Sequence, residues 1–218
     1  MTTRPVFEVS EDEKIFVRRE VQFKWSGGRA LEQIRMNICA LHGNYLAAYP
    51  DKKILEISTK SADELGVKLS AFNLMFRDGV SLESVFQGSK VFRLGGPYAD
   101  IIGKPSVYAK SDGRLKNSGN LIGFRFEGKD FPLNPPTFFY NRLYVTTLAA
   151  NKILANELLA RNFDAFTDIA FNPNKGKVNC QAEAAAIFVS LSRQKLLDSA
   201  LSSDENFLRT VYHERQRL

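Results

Sequence analysis

Hydrophobic residues in the first quarter of the chain follow two different periods. In residues 6–25 they alternate with charged residues on either side of a polar turn at 11–14, which predicts two strands, the second of them half-exposed. In residues 30–48 they recur every three or four positions, which predicts a helix. An apolar run at 53–58 predicts a further strand.

The middle of the chain predicts shorter elements. We expect a polar loop at 58–66, a short strand with a turn within 67–74, and a turn at Asp78-Gly79. Ser81 is placed to cap a helix that runs from Leu82 to about Phe92. Further along, Pro105 is suited to the first turn of a helix that continues through Leu115.

The second half of the chain is mainly helical in pattern. A hairpin is predicted at 121–133, a long helix at 136–161, a long irregular connection at 163–179, and two closing helices at 181–197 and 204–215. These patterns together predict an α+β fold, mostly helical, with one small and mainly antiparallel sheet. We expect a single domain over residues 1–218, onto which the N-terminal strands at 1–26 pack.

Composition narrows the class of protein. The chain has 218 residues, 44% hydrophobic and 25% charged, which is typical of a globular protein and not of a disordered one. It has no apolar run of 18 residues and no basic segment followed by an apolar run at its start, so we expect a soluble cytoplasmic protein without a membrane partner.

Cysteine and histidine are scarce. Cys39 and Cys180 are far apart, and His42 and His213 have no metal-ligand neighbours at the usual spacing. We therefore expect no disulfide framework, no metal and no cofactor, and no Ser-His-Asp or Cys-His catalytic arrangement. The net charge of +6 favours an anionic partner, although the basic residues are spread along the chain.

Two segments carry candidate chemistry. On the predicted helix, Glu83, Gln87 and Lys90 stand at i, i+4 and i+7 and so share one face, although spacing alone favours an ordinary solvated face. Gly28 and Arg29 precede the helix at 30–48, where free N–H groups can bind an anion, but a plain entry turn is the more common use of such a segment.

The segment around Glu83 resembles the NADAR superfamily. Residues 82–92, LESVFQGSKVF, match a pattern E-x-x-F-Q-x-x-K-F, with Phe92 one place later than in the family. Residues 69–72, LSAF, match an LSNF-like segment, with Ala71 where the family has Asn and with Asn73 nearby. Residues 105–110 follow, and segments at 23–29, 68–74 and 166–182 are similar to the NADAR branch linked to DarT/DarG-type toxin–antitoxin systems.

The resemblance implies a NADAR/YbiA-like fold and an N-glycosidase that removes ADP-ribose from guanine bases in DNA. ADP-ribosylated DNA would then be the substrate, and a DNA ADP-ribosyltransferase toxin a cognate partner. It maps the family's carboxylate onto Glu83 and its lysine onto Lys90, which would be the nucleophile of a Schiff-base route. Three alternatives stay open: a glycosidase acting on a riboflavin-pathway intermediate, a non-catalytic ADP-ribose or nucleotide-binding module, and a nucleic-acid-binding protein.

Further residues are assigned within this reading. Asp168 is a second candidate carboxylate or a ribose ligand, with a loop or capping role as its alternative. Phe72, Tyr108 and Phe166 are candidates to stack on a base, although buried aromatic residues more often belong to the core. The remaining candidates for substrate binding are Gly28 and Arg29 at the pyrophosphate, Asn73 and Gln87 at ribose or base edges, and Ser70 and Asn172.

Overall fold

The secondary structure alternates short strands and helices along the chain. The structure is a computed structural model that describes residues 1–12, 14–172 and 178–212. Its strands are β1 (Thr2–Val9), β2 (Phe16–Phe23), β3 (Ile54–Glu56), β4 (Met75–Arg77), β5 (Val80–Ser81), β6 (Lys90–Phe92), β7 (Leu121–Phe126), β8 (Lys129–Phe131) and β9 (Ala165–Thr167). Its α-helices are α1 (Leu31–Ala48), α2 (Glu64–Lys68), α3 (Leu82–Gly88), α4 (Ser106–Ser111), α5 (Arg114–Asn117), α6 (Phe138–Ala150), α7 (Lys152–Ala160), α8 (Gln181–Arg193), α9 (Leu197–Leu201) and α10 (Asp204–Tyr212).

A four-stranded sheet joins the two ends of the chain in the order β2-β1-β9-β3. β1 is antiparallel to both of its neighbours, and β3 is parallel to β9. Within β1, Val6 packs into a cluster with α1, while Phe7 packs into the main core with α8. The sheet therefore has a helix on each face, and this explains why β1 is buried on both sides while β2 keeps the alternation of a half-exposed strand.

Two helices form the centre of the main core. Every residue of α8 from Ala182 to Leu191 is buried, and small residues at 182 and 184–186 let α6 approach closely. α6 places large aromatic side chains against this surface, including Phe139, Tyr140 and Tyr144. The predicted α+β class is confirmed. No helix of the described residues is long and apolar enough to cross a membrane.

The predicted small and mainly antiparallel sheet structure is divided among three sheets in the described residues. A three-stranded sheet of β6, β7 and β8 and a two-stranded sheet of β4 and β5 accompany the larger one. The predicted hairpin at 121–133 is confirmed: Glu127 and Gly128 connect β7 to β8, both with positive φ, as a two-residue hairpin turn requires.

The segment 58–74 was predicted wrongly. A helix, α2, stands where we expected the end of a loop and the start of a strand. The Asp63 side chain accepts a hydrogen bond from the Leu65 amide and so caps this helix. A Cβ on Gly66 would lie 2.1 Å from the Glu56 carbonyl oxygen, so the helix packs directly against the end of β3.

Local capping also divides helices that the hydrophobic pattern joins. The predicted helix at 136–161 breaks at Asn151, whose side chain accepts from the Leu154 amide and starts α7. The helix that was predicted to reach Leu115 ends at Ser111, and Asp112, which follows it, accepts a hydrogen bond from the Arg114 amide at the start of α5. The connection at 163–179 contains the strand β9, and the last predicted helix is described only as far as Tyr212.

Candidate active site

Helix α3 is buried along its whole length. The Ser81 hydroxyl accepts a hydrogen bond from the Ser84 amide at 3.2 Å, which confirms the predicted cap. All seven residues from Leu82 to Gly88 are buried, and Glu83 is only 2% exposed. An ordinary solvated face, which spacing alone favoured, is therefore the wrong description of this helix.

The helix ends four residues earlier than predicted. Gly88 is its last residue, and Lys90 begins strand β6, where it pairs with Phe124 of β7. A Cβ on Gly88 would lie 2.6 Å from Ile102 Cγ1 and 3.1 Å from the Tyr98 carbonyl oxygen. The chain turns where only glycine fits, so Lys90 does not share a helical face with Glu83.

A hydrogen-bonded chain nevertheless connects the three predicted residues. Gln87 Nε2 donates to Glu83 Oε1 at 2.9 Å, and Lys90 Nζ donates to Gln87 Oε1 at 2.7 Å. The amide of Gln87 thus stands between the carboxylate and the amine. This separation prevents a direct ion pair, which would hold the lysine in its charged form.

Burial changes the acidity of Lys90. Desolvation lowers the pKa of its amine from 10.5 to about 8, against the opposing effect of the Glu83 charge, and the Lys110 ammonium lowers it further. The Lys90 ammonium lies 4.7 Å from the centre of the Phe86 ring, which favours the remaining charged form. About one amine in ten is then neutral at pH 7, against on the order of one in three thousand for an unperturbed lysine.

A second lysine reaches the same carboxylate from α4. Lys110 Nζ lies 3.6 Å from Glu83 Oε1, and its side chain is 58% exposed. The same ammonium lies 4.9 Å from the centre of the Phe72 ring. Phe72 is half-buried, and Lys110 thus contacts both its ring and the Glu83 carboxylate.

The turn at residues 70–73 connects Glu83 to Asp168. The Ala71 carbonyl accepts from the Glu83 amide at 2.9 Å, and the Ala71 amide donates to Gln181 Oε1 at 2.6 Å. Gln181 Nε2 in turn donates to Asp168 Oδ2 at 3.1 Å. Ser70 and Asn73 hydrogen-bond to each other and to the Val67 carbonyl, so both fix the shape of this turn.

Asp168 follows the last residue of β9 and is itself buried. A buried carboxylate at the end of β3, Glu56, holds the residues on either side of it. Thr167 Oγ1 donates to Glu56 Oε2 at 2.6 Å, and the Ile169 amide donates to Glu56 Oε1 at 2.9 Å. Desolvation, and then the charge of Asp168, raise the pKa of Glu56 to about 8, so that Glu56 is mainly neutral at pH 7.

Tyr140 of α6 lies beneath this group of residues. Its ring meets the Phe86 ring edge-on, with centroids 4.9 Å apart and planes at 79°. The side chain is fully buried, and its hydroxyl has no hydrogen-bond partner among the described residues. Leaving a buried hydroxyl in this condition costs about 1–3 kcal/mol.

The remaining predicted residues lie apart from this group. Gly28 and Arg29 are exposed ahead of α1, and Gly28 has a φ of 107°. No hydrogen bond or ion pair within the described ranges joins them to Glu83 or Lys90. Asn172 is half-buried, four residues after Asp168. Phe166 is fully buried in the core, which is the alternative considered for it, whereas Tyr108 is 69% exposed.

Sequence reasoning did not single out Glu56, Tyr140 or Gln181. A charged residue inside the apolar run at 53–58 was the available signal for Glu56, while Tyr140 resembles any core aromatic residue of α6. The assembled group offers three buried carboxyl groups, a partly neutral amine, and two side-chain amides, Gln87 and Gln181, that donate to carboxylates. Such a group can stabilise a developing cation and supply a nucleophile. Across the described part of the chain, no three or more His, Cys, Asp or Glu residues are placed to hold a metal ion.

Comparison with models of protein families identifies the family of this chain. No curated protein matches the chain. The model of the NADAR-DarT1 family, described as the DarT1-associated NADAR antitoxin, matches residues 2–217. This match covers nearly the whole chain and agrees with the resemblance of the segments around Glu83 and Asp168. The chain belongs to the family of DarT1-associated NADAR antitoxins.

Proposed function

We propose that the protein is an N-glycosidase that removes ADP-ribose from modified guanine bases in DNA and so reverses the action of a DarT-type ADP-ribosyltransferase. The observation that carries this proposal is the buried chain Glu83–Gln87–Lys90, in which the lysine amine has a pKa of about 8. Membership of an antitoxin family supports the choice of substrate and makes the toxin the cognate partner.

The proposed reaction is a hydrolysis of the bond between the base nitrogen and the anomeric carbon of the ribose. Neutral Lys90 attacks the anomeric carbon, and the base nitrogen departs with a proton. Glu83 accepts the proton that Lys90 loses and passes it to the departing nitrogen. The nitrogen of Lys90 then forms a double bond to the anomeric carbon while the bond from that carbon to the ring oxygen breaks and the ring oxygen takes up a proton. Water adds to the carbon of this imine, Lys90 leaves as the amine, the ribose ring closes again, and free ADP-ribose is released. Carboxylate charge close to the anomeric carbon stabilises the positive charge that develops there.

The other residues of the group have proposed roles in binding. Phe72, held beside Lys110, is placed to stack against a base, and Asp168 is placed to accept from ribose hydroxyls. Asn73 and Ser70 shape the turn between these two contacts. For Gly28, Arg29 and Asn172 we keep the predicted contacts to the pyrophosphate and the nucleotide.

The test is release of ADP-ribose from oligonucleotides that carry the modification on guanine or on thymine, assayed side by side. We expect catalytic release from the guanine substrate by the parent protein. Lys90→Ala and Glu83→Gln should each lose at least about a hundredfold in rate, since they remove the nucleophile and the proton carrier. Their melting temperatures should stay close to that of the parent.

The matched controls are Lys116→Ala and Glu64→Gln, which remove the same charges at exposed positions. Both should keep the parental rate. Borohydride should trap a covalent adduct in the parent and none in Lys90→Ala. Full activity in Lys90→Ala and Glu83→Gln would refute the site. Tight binding of the modified DNA without turnover would favour a binding module, and turnover only of a riboflavin-pathway intermediate would favour that substrate.

A further inference from the structure

Helix α6 offers an internal comparison between two tyrosines. Tyr140 and Tyr144 stand one turn apart, and both side chains are fully buried. The Tyr144 hydroxyl donates to the Leu69 carbonyl at 2.8 Å. The Tyr140 hydroxyl has no such partner among residues 1–12, 14–172 and 178–212. Folded proteins rarely leave a buried hydroxyl unpaired, so this one calls for a physical explanation.

The surroundings of Tyr140 are those of the proposed reaction site. Its ring packs edge-on against the ring of Phe86, and the Lys90 ammonium contacts the same Phe86 ring. Burial raises the pKa of the Tyr140 hydroxyl well above its ordinary value. The negative charge of Glu83 raises it further, and that of Asp168 has a smaller effect in the same direction. The hydroxyl therefore keeps its proton and remains a donor near both carboxylates.

We propose that Tyr140 is a further catalytic residue, whose hydroxyl donates its hydrogen bond to an oxygen of the reacting ribose. This inference rests on the proposed function. The Tyr140 ring packs on Phe86, which lies one turn after Glu83 in α3, and the Glu83 charge acts on the Tyr140 hydroxyl, so a substrate that reaches the carboxylate also comes close to the hydroxyl. The ribose oxygen gains negative charge as the ring opens on attack by Lys90, and a fixed donor then binds it more strongly than in the ground state.

The experiment compares Tyr140→Phe with Tyr144→Phe. Tyr140→Phe removes an unpaired hydroxyl without opening a cavity, so its melting temperature should equal or exceed that of the parent. Its kcat on guanine-modified oligonucleotide should fall by about a hundredfold, as on loss of one oxyanion donor. Tyr144→Phe breaks a hydrogen bond within the chain, so its melting temperature should fall while its kcat stays within about threefold of the parent.

The outcomes separate this inference from the proposed function. If the parent releases ADP-ribose and Tyr140→Phe does so at the same rate, or if Tyr140→Phe is destabilised as much as Tyr144→Phe, the role of Tyr140 is refuted and the glycosidase proposal stands. If the parent shows no release, the glycosidase proposal fails. Titration with ADP-ribose then decides: about tenfold weaker binding by Tyr140→Phe supports the contact, and equal or undetectable binding by both proteins overturns it.

Discussion

Glu56 should make the stability of the protein depend on pH in a way that one isosteric change removes. Its carboxyl group is buried, and its hydrogen-bond partners in the described structure are neutral groups: the Thr167 hydroxyl and the Ile169 amide. Burial and the charge of Asp168 raise its pKa from 4.5 to about 8 in the folded state. Glu56→Gln keeps the shape of the side chain and cannot ionise.

The sign follows from proton binding. Between about pH 4.5 and pH 8, the folded parent holds a proton on Glu56 that the unfolded chain has released. The stability that protonated Glu56 gives the parent relative to Glu56→Gln is therefore fully present below pH 4.5 and is lost as the pH rises to 8. The difference in unfolding free energy between the two proteins should fall by about 1.4 kcal/mol for every pH unit in this window.

The difference must be measured between proteins, because His42 acts in the opposite direction. Its Nε2 donates to Thr167 Oγ1 at 2.8 Å, since the Thr167 hydroxyl gives its own proton to Glu56, and burial lowers the pKa of His42 from 6.5 to about 4. The stability that His42 contributes is fully present above pH 6.5 and is lost as the pH falls to 4. In the parent alone, the opposite pH dependences of Glu56 and His42 therefore nearly cancel between about pH 4.5 and pH 6.5. Subtracting the stability of Glu56→Gln removes the part that belongs to His42.

The assay is urea unfolding of both proteins at half-unit steps from pH 5.5 to 7.5. The matched control, Glu64→Gln, removes a carboxylate that is 82% exposed, and its difference from the parent should stay within about 0.5 kcal/mol throughout. A difference for Glu56→Gln that does not change with pH would show that Glu56 is ionised in the folded protein.

Two further predictions concern helix α3 and its surroundings. If neutral Lys90 is the reactive form, kcat/KM should rise about tenfold per pH unit and level off near pH 8, and Lys110→Gln should move that inflection to higher pH, because the Lys110 charge lowers the pKa of Lys90. An inflection that stays in place would exclude this coupling. Gly88→Ala should destabilise by about 1–3 kcal/mol because its Cβ would meet Ile102 at 2.6 Å, whereas Gly43→Ala in α1, with open space around it, should stabilise by about 0.5–1 kcal/mol in urea unfolding.

The elements that could be predicted from the sequence are those with a strong hydrophobic period. Helix α1 was predicted to within one residue, and the β7–β8 hairpin was predicted together with its turn. The errors occur where a single polar side chain decides. Asp63 starts α2 within a segment whose polar composition predicts a loop, and Asn151 separates α6 from α7 although the hydrophobic pattern continues through it. Capping competes with periodicity at such positions, and a pattern of apolar residues does not show which of them wins.

The site could be predicted only in part, because its members come together through the tertiary structure. Glu83, Gln87 and Asp168 were found from motif and connection length, and the structure links them through Ala71 and Gln181. Glu56 and Tyr140 were missed. Their position near Asp168 and Glu83 depends on how β3 lies beside β9 and on how α6 packs below α3, and neither arrangement leaves a local signal in the sequence.

Lys90 lies next to Gln87, as predicted, but for a different geometric reason. The spacing predicted that it shares a helical face with Glu83, but the helix stops at Gly88 and Lys90 reaches Gln87 from strand β6. The strand gives the amine a firmer position than a frayed helix end, because pairing with Phe124 fixes the backbone. Buried Glu and Gln in a seven-residue helix are weak devices for stability, since desolvation offsets most of what their hydrogen bonds contribute. The fold nevertheless encloses a carboxylate, an amide and a partly neutral amine that are linked by hydrogen bonds. A catalytic role explains this arrangement better than a contribution to stability does.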